Sequence, residues 1–258
     1  MQIITGVNWY GLYTLTMKEI NRFLKVHVQT IGAPVVTALL YYLVFAVALG
    51  EHPGMGGASY VQFLAPGLIM MTIAQNAFAN SSSSLIIAKI QGNIVDVLMP
   101  PLSAGELVAA YTLGGIARGI LVGVASAVTM MVLVHLPIAH FGYIAFHTVA
   151  GGMFMALLGV IGGIWSDKFD QMAVVQNFII MPLTFLSGTF FAIKQLPESW
   201  QLLCQINPVF YMIDGFRYGF IGTADGSLTA GIFVMTAINL VLLAVAYNMF
   251  RTGYKLRP

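Results

Sequence analysis

The chain contains 258 residues, of which 59% are hydrophobic and only 8% are charged, and its formal net charge at pH 7 is +2. A water-soluble surface needs a much larger share of charged side chains, so this composition excludes an ordinary soluble enzyme or binding module. The sequence therefore indicates an integral membrane protein, with long apolar runs suited to crossing a bilayer as helices.

The first predicted element is an amphipathic helix over residues 8–28. Its apolar face consists of Tyr13, Met17, Ile20 and Leu24, and its basic residues are Lys18, Arg22 and Lys25. These spacings place the two sets on different faces of one helix. Such a helix is expected to lie on the inner membrane surface, where anionic headgroups attract the basic residues. Docking of a cytoplasmic partner on the same helix is a second interpretation that the pattern leaves open.

Six apolar runs reach the roughly 20 residues that a helix needs to cross the bilayer. They cover residues 31–50, 62–87, 103–134, 143–165, 172–192 and 228–250. The runs are continuous and do not alternate apolar with polar residues, which disfavours a β-barrel. We therefore expect an all-α polytopic membrane protein with six transmembrane helices.

The basic residues predict the orientation of these helices. Eight of them lie on one side of the predicted membrane: Lys18, Arg22, Lys25, Lys89, Lys168, Arg251, Lys255 and Arg257. Only Lys194 and Arg217 lie on the opposite side. Because basic residues favour the cytoplasmic side, both termini are expected in the cytoplasm. No cleaved signal is expected, since the first apolar run begins only near residue 31 and is too long for one.

The segment 89–102, between the second and third spans, contains a short predicted helix over residues 91–99. Pro100 ends this helix, because proline disfavours the helical conformation of the residue before it. Ser103 and Glu106 then match a capping box, which predicts that the third span begins there. A short helix held between two spans is suited to transmitting a push from a soluble domain, and an ordinary connecting loop is the alternative.

Polar residues inside the spans are candidates for a translocation pathway. On the second span, Asn76, Asn80 and Ser84 fall on one helical stripe. Such residues either join helices by hydrogen bonds or line a cavity, and the sequence leaves both interpretations open. On the third span, Arg118 lies near mid-membrane, where its charge must face protein or water because lipid cannot solvate it.

The segment 193–222 is the predicted re-entrant hairpin. The pair Asn207-Pro208 divides it into two helices that are too short to cross the bilayer. Both halves are predicted to lie at the outer surface, and Asp214 is expected to pair with Arg217 on one helical face. The other residues of this predicted outer gate are Pro197, Trp200, Tyr211 and Tyr218, of which the aromatic ones suit the headgroup boundary.

No catalytic residues, cofactor-binding residues or metal ligands are expected. The sequence contains no G-x-x-x-x-G-K-[ST] phosphate loop, so any ATP hydrolysis must take place on another chain. Its five histidines are scattered without an H-E-x-x-H pattern, which disfavours a metal site. The single Cys204 excludes an intramolecular disulfide. We also expect no nucleic-acid partner.

Several motifs taken together resemble the type-2 ABC exporter permeases. They are Leu196-Pro197, Trp200, Asn207-Pro208, Tyr211 and the run "FRYG", with "QFLAPGLIMM", "NIVDVLMPPLSAGEL" and "GGIARG" earlier in the chain. The resemblance covers nearly the whole chain and implies a single transmembrane domain over residues 1–258. It also implies a bacterial inner membrane location, a homodimer in contact with membrane lipids, and two copies of a separate ABC ATPase that binds ATP and Mg²⁺.

The resemblance further assigns two sets of residues to coupling with that ATPase. The interface helix contributes Lys18, Glu19 and Arg22, and the coupling helix contributes Asn93, Ile94, Val95, Asp96, Val97 and Leu98. The implied function is outward movement of a lipid-like or amphipathic substrate. An ion-coupled secondary transporter is the alternative, but it would need intramembrane carboxylates, and the sequence places no acid firmly in mid-span.

Overall fold

The computed structural model describes residues 6–50 and 58–256. Arg257 and the two ends of the predicted 1–258 domain lie outside the described residues. The architecture of the described ranges is all-helical, as the sequence predicts. Among these residues, the helices that are long and apolar enough to cross a membrane are Val28–Leu49, Tyr60–Ile90, Ala104–Leu133, Phe141–Trp165 and Leu228–Thr252.

The helices follow the chain order of the predicted elements. The α-helices are α1 (Trp9–Leu24), α2 (Ala33–Leu49), α3 (Tyr60–Ile90), α4 (Ile94–Leu98), α5 (Ala104–Leu133), α6 (Phe141–Trp165), α7 (Phe169–Val175), α8 (Met181–Phe185), α9 (Glu198–Ile206), α10 (Pro208–Ile221) and α11 (Leu228–Thr252). The π-helical stretches Val28–Gly32 and Gln176–Ile180 lead directly into α2 and α8, and a 3₁₀ turn at Ile193–Gln195 precedes α9.

The ends of the long helices follow local sequence signals. α3 and α5 both begin with a complete capping box, formed by Ser59 with Gln62 and by Ser103 with Glu106. α11 ends at Gly253, whose φ of +70° lies in the left-handed region that favours glycine. The capping box predicted at the start of the third span is therefore confirmed.

The predicted fifth span, residues 172–192, is interrupted. The chain is helical from residue 169 to residue 185 and turns after Phe185. The π-helical stretch inside this segment lies directly before Pro182, which has no N–H to donate and therefore disturbs the regular hydrogen-bond ladder. The helical part is about 25 Å long, which is shorter than the roughly 30 Å hydrocarbon core. A sixth crossing at this segment stays a prediction.

α3 is the central helix of the bundle. In its most apolar part 83% of the residues are buried, and it contacts α2, α5, α6 and α10. A Cβ atom at Gly159 of α6 would lie 2.5 Å from the carbonyl oxygen of Phe78, and one at Gly115 of α5 would lie 2.6 Å from the Oγ of Ser81. Approach this close requires residues without a side chain at the contact. The glycines of α5 and α6 thus pack the bundle within one protomer.

The loops gather at two ends of the bundle. At one end, Asp167 after α6 contacts Lys89 in the last turn of α3 and Lys255 after α11. The charge rule predicts that this end faces the cytoplasm, and we call it the inner end. At the opposite, outer end, the N–H of Ala139 before α6 donates to the carbonyl oxygen of Gly219 in α10. Loops that the sequence predicts on one side of the membrane therefore lie at the same end of the bundle.

Candidate functional site

α4 lies at the inner end, inside the predicted coupling segment. It covers Ile94–Leu98 and is shorter than the predicted helix over residues 91–99. Ile94 and Val97 are buried, whereas Val95 is 49% exposed and Met99 directly after the helix is 76% exposed. The remaining predicted coupling residues are Asn93 and Asp96, which are exposed, and Leu98, which is partly buried. Two buried anchors thus hold a small apolar surface toward the outside of the protein.

The start of α1 is joined to the same segment. The N–H of Asn8 donates to Oε1 of Glu106 at 2.5 Å, and Nδ2 of Asn8 donates to the carbonyl oxygen of Pro101 at 3.3 Å. The other carboxylate oxygen of Glu106 accepts from the N–H of Ser103 at 2.6 Å. Glu106 is therefore the predicted cap of α5, and it also links α1, the coupling segment and α5.

α1 contacts the core through a face that the sequence analysis missed. Leu15, Glu19 and Phe23 are buried, and α1 packs mainly against α5. The predicted apolar stripe lies outside this core, and Lys18 is exposed. Glu19 is fully buried at 0% exposure, which corrects its assignment to a partner-facing surface. Its carboxylate meets other helices of its own chain because Glu19 lies four residues, about one helical turn, from both Leu15 and Phe23 and so shares their inward stripe.

Glu19 and Arg22 join α1 to α3. Ser84 Oγ donates to Oε1 of Glu19 at 2.8 Å, and Nε of Arg22 lies 3.4 Å from Oε2 of the same carboxylate. Nη2 of Arg22 also donates to the carbonyl oxygen of Asn80 at 2.6 Å and to its Oδ1 at 3.0 Å. A buried charge needs a counter-charge and further hydrogen bonds, and this cluster supplies both. Arg22 thus turns toward its own chain.

Arg118 on α5 binds the outermost residue of the polar stripe. Its Nη2 donates to Oδ1 of Asn76 at 3.0 Å, and Nδ2 of Asn76 donates to the carbonyl oxygen of Thr72 at 3.0 Å. Arg118 is partly buried and therefore faces protein on at least one side, as expected for a charge at this depth. Asn76, Asn80 and Ser84 each have a partner on α1 or α5, so the stripe joins helices.

Asp167 is an exposed ion-pair centre at the inner end. Nζ of Lys255 lies 2.8 Å from its Oδ2, and Nζ of Lys89 lies 3.0 Å from its Oδ1. Hydrogen bonds from Lys255 and then Lys89 hold the pKa of the Asp167 carboxyl below its usual value. Lys89 also donates to the carbonyl oxygens of Ile164 and Ser166. These contacts fix the segment after α11 to the loop between α6 and α7.

A cavity of about 380 Å³ opens between α2, α3 and the π-helical stretch before α8. Asn76 is the predicted pathway residue that lines it, and Gln29, Gln75 and Gln176 line it as well. Sequence reasoning missed these glutamines because each is a single amide in a different segment, and no spacing rule connects them. Gln29 and Gln176 each precede a proline inside an apolar run, which is the signal that would have found them.

α9 and α10 meet at the predicted break. Nδ2 of Asn207 donates to the carbonyl oxygen of Leu183 at 2.6 Å, and its Oδ1 accepts from the N–H of Val209 at 3.0 Å. Pro208 begins α10, where its missing N–H costs no helical hydrogen bond. Protein groups therefore satisfy the side chain at the break.

α10 runs antiparallel to α6. A Cβ at Gly219 would meet Ile144 near the start of α6, and one at Gly151, further along α6, would meet Met212. α10 is about 21 Å long at 1.5 Å per residue, so its Pro208 end lies well inside the outer end of the bundle. This direction is the one expected of a hairpin that dips inward and returns, and its insertion into the bilayer stays a prediction.

Within the described residues, Arg217 does not form the predicted ion pair with Asp214. Nε of Arg217 donates to the carbonyl oxygen of Phe63 at 3.1 Å, and Nη2 donates to that of Gly188 at 2.7 Å. The guanidinium also lies 3.8 Å from the centroid of the Phe63 ring. The turn after α8 exposes carbonyl oxygens that a continued helix would have used, and the long arginine side chain reaches them. Arg217 thereby joins α10 to α3 and to the interrupted span.

Asp214 instead holds the loop before α11. Its Oδ1 and Oδ2 accept from the N–H groups of Asp225 and Gly226, each at 2.9 Å. Oδ2 of Asp225 in turn accepts from the N–H of Ile193 at 3.0 Å, and burial raises the pKa of the Asp225 carboxyl. The loops on both sides of the hairpin are therefore connected through two carboxylates.

The other predicted gate residues differ between the two arms of the hairpin. On α10, the ring of Tyr218 stacks on His140 with 4.8 Å between centroids, and Tyr211 is partly buried. On the other arm, Pro197 is exposed and Trp200 is 49% exposed. α10 is thus the anchored arm, and α9 presents aromatic and apolar surface to its surroundings.

Comparison with known proteins assigns this arrangement to a family. The ABC-2 type transporter family matches residues 10–221, which cover the coupling segment and all but one residue each of α1 and the hairpin. The chain is 36% identical over 250 residues to the inner membrane transport permease YadH of Escherichia coli strain K12, covering 96% of this chain and 98% of that protein. It is 23% identical over 249 residues to nodulation protein J of Rhizobium leguminosarum bv. viciae, covering 95% of each. The chain therefore belongs to the ABC-2 type transporter family.

Proposed function

We propose that the chain is the membrane-spanning permease subunit of an ATP-driven exporter in a bacterial inner membrane. Its family and its similarity to an inner membrane transport permease support this class and location. The assembly is a homodimer with two copies of a separate ABC ATPase, which bind ATP and Mg²⁺. Both termini of the permease lie in the cytoplasm, and the substrate is a lipid-like or amphipathic molecule that moves outward.

The observation that carries this proposal is the inner surface formed by α4 and the start of α1. Val95 and Met99 expose apolar area there, and the contact between Asn8 and Glu106 joins α1 to the coupling segment. A displacement of α4 by an ATPase would therefore move α1 and α5 with it. Lys18, further along α1, is exposed and is available for a charged contact with a partner.

The cavity between α2 and α3 is the start of the proposed pathway. Large apolar residues beside it are exposed, among them Val36, Leu40 and Phe178. A second copy placed against this face would cover these residues and enclose the polar cavity lining, which lipid cannot satisfy. In the proposed assembly, residues 169–185 make the sixth crossing and the hairpin closes the outer exit.

Co-purification of the chain with its partner tests the proposal. The tagged chain, isolated in mild detergent from its native host, should retain an ABC ATPase and show ATP hydrolysis that the chain alone lacks. The double variant Val95→Asp, Met99→Asp should lose the ATPase while remaining monodisperse in gel filtration. Thr229→Asp, an exposed position at the outer end, is the control that should retain it. Hydrolysis by the isolated chain, or no retained ATPase, would overturn the proposal.

An ion-coupled secondary transporter is the second candidate, and the buried carboxylate of Glu19 is the observation that favours it. That function predicts uptake into liposomes that contain the chain alone, driven by a proton or sodium gradient and abolished by Glu19→Gln. Transport that requires both the ATPase and ATP, and that does not respond to the gradient, would exclude it.

A further inference from the structure

Three glutamine side chains from separate elements converge on the cavity between α2 and α3, called the glutamine cavity from here on. Gln29 lies on the π-helical stretch before Pro34, Gln176 lies on the one before Pro182, and Gln75 lies in the middle of α3. Their side-chain amides have no hydrogen-bond partner within residues 6–50 and 58–256. π-Helical turns are rare and are frequent at functional sites, and two of them present amides here.

The lining residues of the glutamine cavity carry no charge. Arg118 does not line the cavity itself. Its guanidinium donates to Oδ1 of Asn76, and Nδ2 of Asn76 donates to the carbonyl oxygen of Thr72. A charged group in the cavity would lose its hydration without meeting a counter-charge among the lining residues. A primary amide both donates and accepts hydrogen bonds, so free glutamines match hydroxyl and amide groups on a ligand.

The rest of the cavity wall is largely apolar. Leu68 and Met71 contribute to it, and the exposed side chains of Val36, Leu40 and Phe178 lie on the neighbouring surface of the same elements. The volume of about 380 Å³ is near the lower end of the range of small-molecule sites. It suits a single head group whose alkyl chain extends along the apolar surface outside.

We propose that the glutamine cavity binds the uncharged, hydroxyl- or amide-bearing head group of an amphiphilic substrate. This inference rests on the proposed function, because it names the substrate class of the same pathway. The three amides select the head group by hydrogen bonding, and the missing counter-charge disfavours cationic and anionic head groups of similar size.

Three amphiphiles with the same octyl chain test the proposal: octyl glucoside, octyl phosphate and octyltrimethylammonium, each used below its micelle concentration. The permease with its co-purified ATPase is placed in lipid nanodiscs, and ATP hydrolysis is measured as each compound is added. Retention of each compound by the permease is measured separately by native mass spectrometry. The glucoside should be retained and should raise hydrolysis severalfold, and the two charged compounds should do neither.

Two variants at one position separate hydrogen bonding from charge. Gln75→Leu should weaken the glucoside response about tenfold, which corresponds to one hydrogen-bonding group of about 1.4 kcal/mol. Gln75→Glu should weaken it as well and should create a response to octyltrimethylammonium. Asn177→Asp is the matched control, because it makes the same amide-to-carboxylate change beside Gln176 but outside the residues that line the cavity. The control should keep the preference of the unmodified chain.

The outcomes distinguish this inference from the function on which it rests. Equal stimulation by all three head groups, or an unchanged preference in both Gln75 variants, would overturn the head-group assignment and leave the exporter function standing. Glucoside retention that Gln75→Leu weakens, without any effect on ATP hydrolysis, would uphold the binding site and contradict the exporter function.

Discussion

Two buried charged groups, one at each end of the bundle, are stabilised in different ways. At the outer end, the guanidinium of Arg217 is held by backbone carbonyl oxygens of Phe63 and Gly188 and by an aromatic ring. At the inner end, Glu19 and Arg22 are held by each other, by polar side chains of α3 and by a single backbone carbonyl oxygen, that of Asn80. Backbone acceptors are fixed by the course of the chain, whereas side-chain partners can change rotamer.

This difference suggests different mechanical roles for the two ends. The outer contact exists only when the hairpin, α3 and the turn after α8 are in one arrangement, so it favours a single position of the hairpin. The inner cluster lies between α1 and α3 and can exchange hydrogen bonds as α1 moves, because Arg22 has alternative acceptors on Asn80 and Ser83. Bistable contacts of this kind are what a conformational cycle needs.

Replacing Arg217 with Met should cause the largest loss of stability. The variant removes the charged donor from the buried carbonyl oxygens of Phe63 and Gly188, and hydrogen bonds to charged groups contribute about 1.5–3 kcal/mol each. We expect a loss of about 3–5 kcal/mol, measured as thermal unfolding of the detergent-solubilised chain. Lys194→Met, at an exposed basic residue of the same end, should change stability by less than about 0.5 kcal/mol. Equal changes in unfolding temperature for the two variants would show that Arg217 does not stabilise the outer end.

Replacing Arg22 with Ala should have the next largest effect. It leaves the fully buried carboxylate of Glu19 with Ser84 as its remaining partner, which should cost about 2–3 kcal/mol in the same unfolding assay. Lys18→Ala, one turn earlier and exposed, is the control and should be nearly neutral.

Lysine substitutions at Arg22 and Arg217 test more directly whether the two ends differ in how far their hydrogen-bond acceptors can adjust. Arg22→Lys should recover more than half of the loss, because side-chain acceptors can adjust to the ammonium group, whereas Arg217→Lys should recover little. Similar recovery at both positions would contradict the distinction between an adjustable inner cluster and a fixed outer one.

Gly114→Ala tests how tightly the inner cluster is packed. A Cβ at Gly114 would lie 2.6 Å from the Cβ of Glu19, so we expect a loss of about 1–3 kcal/mol from overpacking. Gly142→Ala has open space around the new methyl group and should be neutral or slightly stabilising. Unfolding midpoints of the two variants check this, and a stable Gly114→Ala protein would mean that α1 moves aside at little cost.

Asp167→Asn should have the smallest effect, and the effect should depend on pH. Because Lys255 and Lys89 lower the pKa of the folded carboxyl from the ordinary 3.8, its stabilising contribution is present above that value. The contribution is lost as the pH falls through the lowered value. The parent and the variant should therefore differ slightly in unfolding midpoint at pH 7 and coincide at strongly acidic pH. A difference that persists in acid would point to packing and not to charge.

Local signals predicted much of the fold. Continuous apolar runs predicted α3, α5, α6 and α11, and the capping box at Ser103 and the break at Asn207-Pro208 lie where the sequence places them. These features depend on residues within about one or two helical turns of each other, so no knowledge of tertiary contacts is needed to predict them.

The predictions for two charged residues, Arg217 and Glu19, differ from the structure for the same reason. Spacing suggested that Asp214 would pair with Arg217, but each residue bonds to groups far away in the chain. Likewise, the family resemblance assigned Glu19 to coupling with the ATPase, and the spacing of residues on α1 does not indicate that its carboxylate is buried. Its burial depends on Ser84 and Arg22, and on the small Gly114 of α5 that leaves room for it.

By itself, the sequence determined that this chain is an all-helical membrane protein, where most of its helices begin and end, and to which family it belongs. The length of an apolar run, a helix cap and a proline each act over a few neighbouring residues, so their effects can be predicted from the sequence alone. Only the tertiary structure decided which charges are buried, how they are satisfied, and that three distant glutamines share one cavity. Those properties depend on helix packing, which brings together groups that no sequence interval relates.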